Sequence, residues 1–169
     1  MVGGPGSGKS TFVKKWMPEY EHISKANLKS LKKCKETCWA ALTKGKSVVI
    51  DSANMAAGVR STYVEVAKAA GVSIRCFHLD TDKKTCLHNN VQRDNNKHRQ
   101  HIGKSVTSAA VHTFFKNLTK PSVKEGFKSV HKIEFIADDF SNEKDKKFYN
   151  SMLGTAATTT AATAATKGL

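Results

Sequence analysis

A glycine-rich segment close to the start of the chain limits the possible folds more than any other feature of the sequence. Its spacing fits the G-x-x-x-x-G-K-[ST] pattern of a phosphate-binding loop, and its members are Gly3, Gly4, Pro5, Gly6, Ser7, Gly8, Lys9, Ser10 and Thr11. Glycines allow successive backbone N–H groups to turn inward around a phosphate chain, an approach that side chains would block. The segment therefore predicts a loop that binds phosphate, preceded by a buried strand and followed by a helix.

Two side chains of this loop have separate expected tasks. Lys9 would bring a positive charge to the β- and γ-phosphates of a nucleotide, and Ser10 would offer its hydroxyl oxygen to Mg²⁺. A helix that starts at Ser10 would direct its positive N-terminal end at the same anion. The alternative, a glycine-rich turn without function, is disfavoured because the loop leads directly into apolar residues such as Phe12 and Val13.

Only Met1 and Val2 precede the loop, although such a loop normally follows a buried parallel strand of several apolar residues. We infer that the sequence begins inside a longer parent, with Met1 as an internal methionine of the first strand. Under this interpretation the first strand is truncated, and any upstream domain lies outside the sequence.

The composition favours a soluble, intracellular domain with a polyanionic partner. The 169 residues include 28 Lys and Arg against 14 Asp and Glu, a formal net charge of +14, and such an excess bears on association and not on fold. The longest apolar runs, such as Val48–Ile50, are far shorter than the ~20 residues of a membrane span, and no signal peptide opens the chain. Cysteines in such a chain are expected as buried thiols, in preference to disulfides or a zinc site. They are Cys34, Cys38, Cys76 and Cys86.

Apolar periodicity along the rest of the chain predicts helices that alternate with short strands. Helices are expected at residues 10–17, 28–45, 59–70, 83–94 and 106–114, and strands at residues 47–51, 72–79 and 133–136. This alternation implies an α/β fold with a mainly parallel sheet, and together with the phosphate-binding loop it predicts a three-layer sandwich of the P-loop NTPase type. The ligand would lie at the carboxyl ends of the strands.

The C-terminal part of the sequence differs in character. Residues 155–166 contain only Ala and Thr, without apolar periodicity or a large side chain to bury, so we expect disorder there. The domain is therefore placed at residues 1–140, followed by a polar, Ala/Thr-rich tail at residues 141–169.

Five further motifs follow the loop in a fixed order. They are VVIDSAN at residues 48–54, RSTY at 60–63 leading to AAGV at 69–72, RCF at 75–77, HNN at 88–90 followed by Arg93, and PSVKEGF at 121–127. Together with the loop they resemble the kinase domain of the polynucleotide kinase/3′-phosphatase family across residues 1–136. The loop alone indicates only an NTP-binding protein, whereas the order and spacing of HNN and PSVKEGF make the resemblance specific.

The resemblance implies an activity, cofactors and partners. Kinases of this family move the γ-phosphate of ATP, with Mg²⁺, to the 5′-hydroxyl ends of DNA or RNA in nucleic-acid repair. We accordingly expect a monomeric, nuclear enzyme without membrane contact, and an upstream phosphatase domain in a longer parent chain.

The resemblance also assigns roles to individual residues. Lys9 and Ser10 match the phosphate and Mg²⁺ residues of the family, and Asp51 matches the acid at the end of the second strand, a further candidate for the metal. Arg93 matches an arginine of the lid, which would stabilise charge on the transferred phosphoryl group. Two alternatives stay open, namely Asp51 as a strand-ending cap and Arg93 as a solvated helix charge.

One position departs from the family pattern. The family has asparagine-arginine-aspartate after the first helix, and its aspartate accepts the proton of the attacking 5′-hydroxyl; this chain has Ser24, Lys25 and Ala26. Alanine cannot accept a proton, and a positioned general base contributes about 10²–10⁴ to the rate. The sequence leaves open a substitute at Glu19, at Glu21 or in solvent, and also an engineered origin of Ala26.

Two basic regions flank the expected site, at residues 25–46 and 93–104. We expect them to form a groove for the nucleic-acid backbone, since Lys and Arg neutralise its phosphates. The candidates for this contact are Lys25, Lys29, Lys97 and Arg99. The aromatic residues Trp39 and Phe77 fit the protein core better than a stacking platform for bases. The simpler alternative is that the lysine-rich faces are only solvated.

The leading hypothesis is therefore an ATP-dependent polynucleotide 5′-hydroxyl kinase. A degenerate kinase that binds ATP or DNA ends as a scaffold is the second hypothesis, and Ala26 favours it. The third hypothesis is a P-loop kinase of a small molecule, against which the basic excess and the PSVKEGF motif argue.

Overall fold

A computed structural model describes residues 1–95 and 105–135, all within the unit Met1–Ile136. The helices are α1 (Lys9–Trp16), α2 (Lys25–Leu28), α3 (Leu31–Leu42), α4 (Ala57–Ala69), α5 (Lys83–Asn95) and α6 (Ser108–Asn117), with a 3₁₀ turn at Val123–Glu125. The strands are β1 (Glu21–Ile23), β2 (Val48–Ile50), β3 (Arg75–Leu79) and β4 (Ser129–Ile133). The tail at 141–169, with the disorder expected at 155–166, lies outside the described residues, and the boundary at residue 140 stays a prediction.

The strand pairings are parallel, which confirms the expected α/β fold, although the strands of the described residues form two two-stranded sheets in place of one. β1 pairs with β2, and β3 pairs with β4. The N-terminal segment lies between the two pairs. Val2 donates its N–H to the carbonyl of Phe77 and accepts from the N–H of Leu79, both at 2.8 Å, and the amino group of Met1 donates to the carbonyl of Ile50 at 3.0 Å. The carboxyl ends of the strands therefore meet at the edge where the phosphate-binding loop begins.

A cavity of about 470 Å³ lies beside Met1 and Val2 and reaches towards the amino ends of β2 and β3. Its walls include Val48 of β2 and Cys76 of β3. The cavity is open to solvent on one side, since the exposed residues Gly45 and Lys46 also line it. β2 and β3 are thus joined through the N-terminal segment at their carboxyl ends and stand apart at their amino ends.

The single helix expected at residues 28–45 is wrong, because α2 and α3 occupy this part of the chain. Lys29 ends α2 with a φ of 63°, a left-handed conformation that a helix cannot continue through. The hydroxyl of Ser30 then caps the start of α3. Leu28 still packs against the core cluster that contains Cys34, so the predicted apolar stripe is right although the helix is not continuous.

The strands also differ from the prediction at three points. β1 has no counterpart in it, and the strand expected at 72–79 begins only at Arg75. The last strand was expected at residues 133–136 and is wrong, since β4 covers Ser129–Ile133. The sequence of β4 is polar and lacks the apolar run by which strands were predicted, so it did not indicate the pairing with β3. Residue 136 lies outside the described part of the chain.

Two apolar clusters form the core. The first contains Ile23, Cys34, Cys38, Tyr63 and Val66, and the second contains Val2, Val64, Cys76 and Phe127. All four cysteines are buried free thiols, as expected, and burial raises the pKa of the Cys38 thiol to about 11 and that of Cys86 to about 12. The prediction that Trp39 lies in the core is wrong, because its side chain lies at the surface and is 43% exposed.

Within the two described stretches, no helix has the length and apolar character that crossing a membrane requires.

Candidate functional site

The glycine-rich segment forms a tight loop between Val2 and α1, as the sequence predicts. Gly6 has a φ of 82° and Gly8 a φ of 91°, conformations that glycine adopts at little cost. A Cβ on Gly6 would overlap the carbonyl oxygen of Cys86 in α5. Position 6 therefore excludes larger residues, and the loop backbone stays open to phosphate oxygens.

Lys9 is the first residue of α1 and folds back over the loop. Its ammonium group donates to the carbonyl oxygens of Gly3 at 2.9 Å and Gly4 at 2.8 Å. A phosphate held by the loop would therefore meet this positive charge and the positive N-terminal end of α1 together.

Ser10 and Asp51 come together across the sheet edge. The Ser10 hydroxyl donates to Asp51 Oδ2 at 2.5 Å, although 41 residues separate the two in the chain. Asp51 directly follows β2, and its N–H donates to the carbonyl of Ile23 at the end of β1. The Asp51 side chain is only 5% exposed. The carboxylate therefore lies beside the phosphate-binding loop and contacts the first turn of α1.

His22 belongs to the same cluster and is absent from the candidates that the sequence provides. Its Nε2 atom lies 2.9 Å from Asp51 Oδ2. The signal that could have identified it is positional: His22 precedes the apolar Ile23 just before the segment that departs from the family pattern. Without β1 in the prediction, nothing placed that segment beside Asp51.

The oxygen donors at this edge suit Mg²⁺. Ser10 supplies a hydroxyl and Asp51 a carboxylate, and hard cations such as Mg²⁺ prefer oxygen ligands. No group of three or more His, Cys, Asp or Glu that could hold a metal occurs among residues 1–95 and 105–135. Mg²⁺ usually keeps several waters and takes only one or two protein ligands beside the phosphates of its nucleotide. The small donor set therefore fits a metal bound together with a nucleotide.

Ala26 lies in α2 at the border of this cluster and is exposed. The Ser24 hydroxyl caps α2 by accepting from the N–H of Ala26 at 3.2 Å, and the N–H of Lys25 donates to the Ser52 hydroxyl at 3.1 Å. The helix is therefore fixed next to the residue that follows Asp51. A carboxylate at position 26 would stand near the site, and the methyl group found there can accept no proton.

Glu21, a proposed substitute for the missing carboxylate, is engaged elsewhere. Its Oε2 atom accepts from Lys46 Nζ at 2.9 Å. Glu21 also starts β1, whereas Asp51 lies at the carboxyl edge of the sheet. The structure therefore does not bring Glu21 to the cluster.

The HNN motif in α5 contacts the phosphate-binding loop directly. Asn89 Nδ2 donates to the carbonyl of Gly6 at 2.9 Å. Asn90 makes two bonds with the backbone of Val106, donating to its carbonyl at 2.6 Å and accepting from its N–H at 3.0 Å. This motif therefore supports the loop on one side and the start of the segment before α6 on the other.

The RSTY and PSVKEGF motifs meet in a buried ion pair. Arg60 is 2% exposed, and its Nε and Nη2 atoms donate to the two carboxylate oxygens of Glu125 at 2.7 and 2.8 Å. Arg60 Nη1 also donates to the carbonyls of Asn54 and Met55. We call these four residues the Arg60 clamp. The clamp fixes the segment that follows Asp51, so both motifs support the site without being part of it.

The structure describes the positions of only some of the four nucleic-acid candidates and Arg93. Lys25 and Lys29 are exposed at the two ends of α2, and the N–H of Lys25 contacts Ser52, the residue after Asp51. Arg93 lies in α5, but its side chain falls outside the described part of the structure. Lys97 and Arg99 also lie outside the described residues.

Known proteins resemble this chain over most of its length. A family model described as an AAA domain matches residues 24–121, more than half of the chain. The bifunctional polynucleotide phosphatase/kinase of Schizosaccharomyces pombe is 34% identical over 137 residues, which cover 80% of this chain and 33% of the relative. A similarly named protein of Acanthamoeba polyphaga mimivirus is 36% identical over 147 residues, which cover 82% of this chain and 33% of the relative.

A further relative is the transcription factor bHLH140 of Arabidopsis thaliana, 26% identical over 163 residues, which cover 90% of this chain and 17% of that protein. The chain spans about one third of the length of the two phosphatase/kinases. With the family model matched over residues 24–121 and the resemblance to these kinases confirmed, the chain belongs to the AAA domain family of P-loop proteins, beside the bifunctional polynucleotide phosphatase/kinases.

Proposed function

We propose that this chain binds ATP with Mg²⁺ and transfers the γ-phosphate to 5′-hydroxyl ends of DNA or RNA in nucleic-acid repair. The observation that supports this most is the meeting of Lys9, Ser10 and Asp51 at the carboxyl ends of parallel strands, beside a glycine-rich loop. The printed names of two relatives, polynucleotide phosphatase/kinases, support the choice of acceptor.

The roles follow from the chemistry of the groups. The loop N–H groups and the Lys9 ammonium bind the β- and γ-phosphates, and they stabilise the negative charge of the transferred group. Ser10 and Asp51 would hold the metal on the protein side. Mg²⁺ held there with the nucleotide would neutralise charge on the phosphate oxygens. Arg93 in α5 is the candidate for a further positive charge on the moving phosphoryl group.

The acceptor strand would approach along α2. Lys25 and Lys29 are exposed there, and the chain as a whole has a net charge of +14. Positive side chains that contact backbone phosphates bind nucleic acid without reading its sequence. This arrangement supports a substrate defined by its 5′-hydroxyl end. Lys97 and Arg99, in the second basic region of the sequence at residues 93–104, are the further candidates for this contact.

Ala26 determines how fast this reaction runs. Without a positioned general base the rate falls by about 10²–10⁴, while the groups that bind phosphate and metal remain. A dissociative transition state depends only weakly on a general base. We therefore expect phosphate transfer to be slowed and not abolished. The second candidate function, a degenerate module that binds ATP and nucleic-acid ends, is favoured by the same alanine.

The test is transfer of labelled γ-phosphate from ATP to a 5′-hydroxyl oligonucleotide, with the same oligonucleotide carrying a 5′-phosphate as the acceptor control. We expect slow, Mg²⁺-dependent labelling of the 5′-hydroxyl strand alone, and its loss in Lys9→Ala. Labelling that survives in Lys9→Ala would refute the assignment of the loop. Binding of ATP and oligonucleotide without any transfer would support the degenerate module.

A further inference from the structure

The carboxylate of Asp51 has a second hydrogen-bond partner besides Ser10. His22 Nε2 lies 2.9 Å from Asp51 Oδ2, and this is the same oxygen that accepts the Ser10 hydroxyl. An ionised carboxylate can only accept hydrogen bonds. Beside an ionised carboxylate, the imidazole therefore carries its proton on Nε2 and donates it to Asp51.

The backbone of β1 fixes His22 in this position. His22 pairs in register with Val49 of β2, and the next residue, Ile23, is 1% exposed in the core. The imidazole itself is 33% exposed and covers a carboxylate that is 5% exposed. It belongs to neither apolar cluster, so the hydrogen bond to Asp51 is the main contact that a substitution at position 22 removes.

Two donors restrict the carboxylate more than one does. The terminal torsion of an aspartate side chain is broad, and a single bond from Ser10 would let the carboxylate turn about that contact. Two bonds to Oδ2 fix its plane and leave the lone pairs of Oδ1 for a cation or its waters. Ser10 must also offer its own oxygen to a metal, whereas His22 has no such second task.

We propose that His22 is a positioning residue for Mg²⁺, which orients the Asp51 carboxylate through the Nε2 hydrogen bond; this inference rests on the proposed function, which places Mg²⁺ at Ser10 and Asp51. Groups that hydrogen-bond to a metal ligand orient it, and their loss typically lowers metal affinity about 10–100-fold. His22 therefore controls the metal requirement of nucleotide binding without touching the nucleotide.

The experiment compares the wild-type chain with His22→Leu and His22→Gln. Leucine removes the donor, whereas the glutamine amide nitrogen can reach the position of Nε2 and restore it. His112→Leu, an exposed histidine of α6, is the control for the same chemical change away from the site. The measurement is the affinity for a fluorescent ATP analogue, titrated with Mg²⁺ and repeated in EDTA, together with the thermal midpoint of each variant.

We expect His22→Leu to raise the half-saturating Mg²⁺ concentration by about 10-fold or more, with the affinity in EDTA and the thermal midpoint unchanged. His22→Gln and His112→Leu should behave as wild type. An unaltered Mg²⁺ requirement in His22→Leu, or an equal defect in His22→Gln, would overturn the role of His22 while the metal site stands. A wild-type chain whose nucleotide binding ignores Mg²⁺ would overturn the metal site of the proposed function and this inference with it.

Discussion

The buried pair of Arg60 and Glu125 gives a prediction about stability that the structure makes quantitative. Glu125→Gln keeps the size of the side chain and removes its charge, which leaves a guanidinium that is 2% exposed without a counter-ion. Breaking a buried ion pair from one side costs about 3–5 kcal/mol of unfolding free energy. Arg60 keeps its bonds to the carbonyls of Asn54 and Met55, so we expect the lower end, about 3 kcal/mol.

Urea unfolding measures this loss, and the chain supplies a matched control. Glu21→Gln removes the same charge from the pair with Lys46, which has a similar distance of 2.9 Å but side chains that are 59% and 40% exposed. Exposed pairs contribute about 0–1 kcal/mol. A loss in Glu125→Gln no larger than that in Glu21→Gln would refute the idea that the Arg60 clamp holds the site together.

The same pair makes stability depend on pH. Hydrogen bonds from Arg60 hold the pKa of Glu125 below its ordinary value of 4.5. Because the folded pKa is the lower one, the extra stability is fully present above the unfolded pKa and is lost as the pH falls through the folded pKa. The difference in unfolding free energy between wild type and Glu125→Gln should therefore shrink below pH 4.5, and a constant difference down to the acid limit would contradict this.

Three further predictions concern the loop, the cavity and the basic surface. Gly6→Ala should abolish nucleotide binding in a fluorescence titration, since its Cβ meets the carbonyl of Cys86, whereas Gly58→Ala, with open space around it, should bind normally; normal binding in Gly6→Ala would show that α5 gives way. A four-residue apolar extension joined to the N-terminus should enter the 470 Å³ cavity and raise the thermal midpoint by about 5 °C, while a Gly-Ser extension of equal length should not; equal midpoints would contradict strand pairing there. The double variant Lys25→Ala, Lys29→Ala should lower the slope of log affinity for DNA against log salt by about 1.5, and an unchanged slope would exclude α2 from the interface.

Local motifs explain which parts of the site could be predicted. Lys9 and Ser10 lie within one short loop whose spacing defines their positions, and Asp51 ends an apolar run that only a buried strand explains. The structure brings these three residues to the phosphate-binding loop, and their roles stay a prediction. Their signal is contained in a few neighbouring residues, so no long-range information is needed.

Long-range contacts explain what the sequence could not predict. β1 has only three residues, and its pairing with β2 is what brings His22 to Asp51. Lys29 adopts a positive φ although it is not glycine, so the residue type at this position does not predict the break between α2 and α3. The PSVKEGF motif marks the family, but the hydrogen bond that its Glu125 accepts from Arg60 spans 65 residues and is apparent only in the folded chain.

The central claim is that a kinase site is assembled here with one group missing, the proton acceptor at position 26. The most direct measurement is the rate of γ-phosphate transfer to a 5′-hydroxyl oligonucleotide in Ala26→Asp, compared with Asn27→Asp, which adds the same charge at the neighbouring exposed position. We predict that Ala26→Asp raises the rate by about 10²-fold or more and that Asn27→Asp leaves it at the wild-type level. Equal rates in the two variants, or a fast wild-type chain that Ala26→Asp does not improve, would contradict the account.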